Sequence, residues 1–203
     1  AGNMTVGHGL SQAPTMIILK DRDRDYGTNV YQADVCTGGA GRLMLNNATA
    51  YDAVSLPFNG VPTNSVFTFN NGFGSTENDD MIAYCFHSAE GYSKVGSYFG
   101  NSDDDGPFLY TGFKPAWVLI KCYAGHSGQE WIIVDNKRSP YNVVDDYFYA
   151  DTTAAEASAG QIDADFVSNG IKFRGSGGPS NVTGRDYIFL AFAESPFKYS
   201  NAR

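Results

Sequence analysis

The chain carries one sequence pattern twice, and this duplication limits what it can fold into. APTMIILK (13–20) returns as KPAWVLIK (114–121), with Pro14 against Pro115 and Lys20 against Lys121, at an offset of 101. RLMLNNATA (42–50) returns as DYFYADTTA (146–154) at 104, SVFTFNN (65–71) as GIKFRGS (170–176) at 105, and MIAYCFHS (81–88) as YIFLAFAE (187–194) at 106. Matches that keep their order while the offset rises describe one unit copied with small loop insertions. A period near 100 residues is too long for a solenoid. The expectation is two tandem modules, residues 1–100 and 101–203, joined through the turn-rich stretch GNSDDDGPF (100–108).

Both copies read as all-β. Charged residues are only 18% of the chain and aromatics reach 14%, with 23 glycines among 203 residues, a turn-rich β composition. Strands are expected near 14–20, 29–35, 42–46, 65–70, 81–87 and 94–99, then near 108–112, 116–123, 130–135, 146–150, 170–174 and 186–193. The segments 46–54 and 151–159 are the best helix candidates, one or two turns each, with Asn, Asp and Thr available as caps. TMIILK, AWVLIK, MIAYCF and YIFLAF are apolar without alternation, so these four strands are expected to be covered on both faces. The fold class is therefore two similar antiparallel β-sandwich-like modules packed together. The alternative is one large jelly-roll sandwich built from both halves.

A net charge of −8 argues against nucleic acid and against an anionic membrane surface, since both need a basic footprint. No run approaches the length of a membrane span. Cys36, Cys85 and Cys122 show no metal-ligand spacing, which fits folding in a reducing cytosol. The chain starts Ala-Gly-Asn, which is the expectation of a fragment truncated at its front.

DRDRDYG (21–27) alternates aspartates but has Tyr26 and Gln32 where a calcium loop needs Gly and Glu, so it reads as a hairpin turn. If any cation binds it is calcium at Asn101, Asp103 and Asp105; the plainer reading is an Asp-rich turn. No other cofactor is implied. Glu77, Glu90, Glu130, Glu156 and Glu194 offer carboxylates but no spacing selects a catalytic pair. His8, His87 and His126 have no nucleophile signature beside them. The chain is not expected to be an enzyme.

The aromatics carry the sharper expectation. Tyr147, Phe148 and Tyr149 are consecutive, so in a strand at least one ring turns away from the core; Tyr92, Tyr98, Phe99 and Tyr199 add other rings. Exposed rings stack on the apolar faces of sugars while amides and carboxylates read hydroxyls. The segment from Asp135 to Tyr149, which includes Lys137 and Arg138, has a counterpart at 34–45 that is Gly-rich and without aromatics. Scaffold duty therefore does not demand these rings, and a ligand surface is expected at Trp131, Tyr141, Asn142, Asp146, Tyr147 and Tyr149.

VGHGLSQAPTMIILK, IAYCFHSAEGYSKVGSYFGN, DGPFLYTGFKPAWVLIK, WIIVDNKRSPYN, YADTTAAEA and FLAFAESPFKYSNAR together resemble an uncharacterised domain of tailed bacteriophages. That domain is common at the C-terminal end of tail-fibre and other virion structural proteins, especially of marine phages. The resemblance implies a virion appendage, folded in the bacterial cytoplasm and released on lysis, that binds a host-surface glycan. It implies a homo-oligomer, a trimer, in company with other virion proteins, and a natural C-terminus at SNAR. It supplies no catalytic residues. The alternatives are a purely structural virion domain, as in head decoration or fibre oligomerisation, and a polysaccharide depolymerase.

Overall fold

The computed structural model describes residues 3–70, 79–158 and 162–196; Glu77, Tyr199 and the end of the 151–159 helix candidate lie outside them. The protein is all-β and sandwich-like, and its strands pair antiparallel throughout. Among the described residues the only helical element is one 3-10 turn at Thr37–Gly39. The chain divides into two compact units, Ala1–His87 and Ser88–Arg203.

The first unit contains β1 (Met4–Gly7), β2 (Met16–Asp21), β3 (Asn29–Gln32), β4 (Leu43–Met44), β5 (Val66–Phe69) and β6 (Met81–Phe86). They form a four-stranded sheet in the order β4-β3-β2-β6 and a small sheet of β1 with β5. Alternation along β5 sends Phe67 and Phe69 inward, where they meet Ile17 and Leu19 of β2, Tyr31 of β3, Cys36 and Phe58 in one buried cluster. Each such side chain contributes about 1.5–3 kcal/mol by leaving water.

The second unit contains β7 (Ser93–Phe99), β8 (Phe108–Tyr110), β9 (Pro115–Ala124), β10 (Ile132–Asp135), β11 (Tyr147–Tyr149), β12 (Ala164–Val167), β13 (Gly170–Phe173) and β14 (Asp186–Ala193). Its large sheet runs β11-β10-β9-β14-β7 and its small sheet β12-β13-β8. Val118, Ile120, Val134, Tyr147, Tyr187, Phe189 and Ala191 of the large sheet share a core with Leu109, Ala164, Phe166, Ile171 and Phe173 of the small one.

The strand orders of the two units match element by element: β4-β3-β2-β6 corresponds to β11-β10-β9-β14, and β1-β5 to β8-β13. The second unit adds β12 and β7. In the first unit an isolated bridge from Phe58 to Phe69 stands where β12 would be. β7 was grouped by sequence with the first module, but it pairs over seven residues with β14, so the division falls near His87 instead of residue 100. Two of the sequence matches also slip by one position. Phe67 and Phe69 occupy the core places of Ile171 and Phe173, and the bridge Arg42–Asp52 answers Tyr147–Ala157. A slip of one residue exchanges the faces of a strand.

The helix candidates are loops at 46–54 and over 151–158, the described part of 151–159. Asn47 Oδ1 accepts from the Thr49 N–H and Thr152 Oγ1 from the Ala154 N–H, while Ala157 pairs with Tyr147. These short side chains hold the backbone in turns that compete with a helix. Of the four strands expected to be covered on both faces, β2, β9 and β14 are largely buried, but every residue of β6 is at least partly exposed.

Candidate functional site: an aromatic cleft on the large sheet of the second unit

In β9, Val118 and Ile120 point into the core, so Trp117, Leu119 and Lys121 lie on the opposite face. Cross-strand pairing places Asp135 and Phe192 beside Trp117 on that face. At one end of the face Leu119, Lys121, Trp131, Ile188 and Leu190 are buried. The other end is open, and there a cleft of about 490 Å³ is lined by Ala116, Trp117, Asp135, Asn136, Lys137, Arg138 and Glu156.

The turn after β10 sets its polar wall. Asp135 Oδ1 accepts from the N–H groups of Lys137 and Arg138 at 2.9 and 3.0 Å, which closes the turn and presents both side chains. The Arg138 guanidinium bonds Asp135 and Glu156 and lies 4.4 Å over the ring of Phe148. Asn136 Nδ2 donates to Glu194 at 2.8 Å, and Glu194 pairs with Lys114 at 2.9 Å. Asn136 Oδ1 is buried and has no hydrogen-bond donor among the described residues.

The apolar wall is Ala116 and Trp117, and from Trp117 a row of rings runs on outside the cleft lining. Trp117 lies 5.7 Å from Phe192, and Phe192 lies 5.8 Å from Tyr92 in an edge-to-face contact. A half-buried indole bordered by an amide, two carboxylates and a guanidinium suits a polyhydroxylated ligand, whose C–H faces stack on rings while its hydroxyls take polar partners.

The structure separates the six residues that the sequence singled out. Trp131 is 1% exposed and Tyr147 5% exposed, so neither ring is a contact surface. Trp131 packs at 5.6 Å from the buried Lys121 ammonium, and Tyr147 is part of the core with Tyr149 against it. Asn142 bonds the backbone of Phe166 through both ends of its amide, and Asp146 accepts from the Ser139 hydroxyl. Tyr141, 84% exposed, is the one ring of the six that stands in solvent. The outward ring of the Tyr-Phe-Tyr run is Phe148, opposite Ile133 on the cleft face.

The calcium residues also serve other roles. Asn101 Oδ1 accepts from the Asp103 N–H and Asp103 Oδ1 from the Asp105 N–H, while Asp105 pairs with Lys172 at 2.6 Å. That ion pair holds the Asp105 carboxyl below its usual range. The oxygens thus serve backbone turns and a lysine. Among the described residues no three His, Cys, Asp or Glu side chains form a metal cluster.

One family model covers residues 1–196, that of the domain of unknown function DUF7483. The chain belongs to this family. No curated protein and no solved structure matches it. The sequence pointed to the segment that holds Asp135, Asn136, Lys137 and Arg138 of this DUF7483 domain, but not to Trp117. Trp117 sits in an uninterrupted apolar run, where no alternation shows which face it takes.

Proposed function

We propose that the chain is a virion appendage domain of a tailed bacteriophage that holds a host-surface glycan in the Trp117 cleft. The observation that carries this reading is the open cleft itself. Trp117 lines it beside Asn136, Arg138, Asp135 and Glu156, and Phe192 packs against Trp117 next to the cleft. The sequence resemblance to phage tail-fibre domains supports the appendage half of the reading, and the net charge of −8 favours a neutral or cationic glycan over a polyanion. Binding is favoured over depolymerisation because one guanidinium bonds both cleft carboxylates, whereas glycoside hydrolysis needs one of a pair as a free acid. A purely structural virion role is the second reading, favoured by the open edge of β6 described below.

The test is an array of bacterial surface polysaccharides, probed with the wild-type chain and with Trp117→Ala. Retention of a polysaccharide by the wild type and its loss in a folded Trp117→Ala variant supports the reading. Equal retention by both, or none by the wild type, contradicts it.

A further inference from the structure

The repeat makes β6 and β14 equivalent, yet their edges differ. β14 lies between β9 and β7, and Tyr187, Ile188, Phe189, Leu190 and Ala191 are all buried. Among the described residues β6 pairs with β2 alone, and Tyr84 is 52% exposed.

Hydrogen-bond parity shows which groups the β6 edge presents. Arg22 donates to the Asp80 carbonyl at 2.8 Å, so Asp80, Ile82 and Tyr84 direct their backbone groups to β2, and Met81, Ala83 and Cys85 direct theirs away. On β14, Gly100 donates to Arg185 and Ala193 donates to Tyr92. Tyr187, Phe189 and Ala191 therefore bond to β7. These three are the counterparts of Met81, Ala83 and Cys85. The groups that receive a neighbouring strand in the second unit are left unfilled in the first, among the described residues.

Edges of this kind are normally blunted by a charge, a proline or a bulge. Met-Ile-Ala-Tyr-Cys-Phe has no charge and no proline, and its six residues pair with β2 without a register shift. β7, the outer edge strand of the second unit's large sheet, carries Lys94 and Gly96.

We propose that β6 is an interface for a second copy of this chain, pairing antiparallel with β6 of that copy about a two-fold axis at Ala83. A two-fold contact must be self-complementary, and this register is. Ala83 meets Ala83 of the second copy, Met81 meets its Cys85, and Ile82 meets its Tyr84, so small faces small and aliphatic faces aromatic. The outward groups of Met81, Ala83 and Cys85 then form about six backbone hydrogen bonds. β7 of the second copy is not free to fill the place, because its seven residues already pair with its own β14. The interface belongs to the first unit and does not depend on the glycan reading of the cleft.

Sedimentation equilibrium of the full chain and two variants tests this. Wild-type mass rises with concentration toward twice 22.0 kDa. Ala83→Pro removes an N–H that points away from β2, so it blocks the added strand and leaves the β2 ladder whole. Tyr84→Lys places a charge at an exposed position of the interface and supplies the readout where the proline variant does not fold. Either folded variant is expected to shift the association midpoint upward by at least about tenfold in concentration. A wild-type mass of one chain throughout, or an oligomer of any order that ignores a folded substitution, overturns the proposal. The trimer expected from phage fibres would do so if it persisted in both variants.

Discussion

Phe189 stands directly opposite Gly96 across the β14–β7 ladder, and a Cβ at Gly96 would lie 2.9 Å from its ring. The ring is 4% exposed and shares the core with Tyr98 at 6.4 Å, so it has little room to retreat. Gly96→Val should therefore cost about 1–3 kcal/mol through overpacking. Thermal unfolding should show a melting point lower by several degrees, on the order expected for a domain of this size. Ser97→Val, at the exposed next position, should leave it nearly unchanged.

Tyr147 and Tyr141 make a contrasting pair. Tyr147→Ala removes a core ring and should destabilise the chain by about 3–5 kcal/mol. Tyr141→Ala alters a ring in solvent and should stay within about 0.5 kcal/mol. Denaturant unfolding of the two variants measures both values, and similar losses would contradict the assignment of faces.

How much of this was legible in the sequence follows from the physics of strands. The positions of most strands were readable from short apolar runs between turn residues, as was the duplication, because both survive without knowing the register. The faces were not. Tyr147, Phe148 and Tyr149 are all apolar enough to sit on either side, and only pairing with Ile132, Ile133 and Val134 fixes Phe148 as the outward ring. Trp117 was hidden for the same reason. β1 and β12 were missed because Met-Thr-Val-Gly and Ala-Asp-Phe-Val are too short to signal by composition. The place of β7 was unreadable because its partner β14 lies about 90 residues further on, and local pattern carries no information on such pairing.

Burial pushes the Lys121 ammonium down to about 8, with Asp151 and Glu130 opposing in part. The unfolded side chain titrates near about 10.4, so between these values the unfolded state binds more protons. Lys121 therefore makes stability rise with pH across that window, its destabilising effect being fully present below pH 8. Buried thiols and tyrosines pull the other way, as burial raises Cys36 to about 11 and Tyr31 to about 12. The comparison is thus between variants: wild type minus Lys121→Met should gain stability from pH 8 to 10. A flat difference would show that Lys121 is not buried with its charge.

Asp52 behaves in the opposite sense. The Ser55 hydroxyl, the N–H groups of Ser55 and Val54, and the Arg42 charge hold its carboxyl at about 2. Its unfolded value is near about 3.9, so its stabilisation is present above that pH and is lost as pH falls toward 2. The difference in melting temperature between wild type and Asp52→Asn should shrink over this interval. A constant difference would contradict the hydrogen-bonded turn.

The most direct measurement of the cleft uses the two tryptophans. In a Trp131→Phe variant Trp117 is the sole indole, and its emission reports the cleft alone. Titration with oligosaccharides from the polysaccharide that the wild type retains should change that emission saturably, at the same midpoint as binding followed by calorimetry. Calorimetric binding with unchanged Trp117 emission would place the glycan elsewhere and contradict the account.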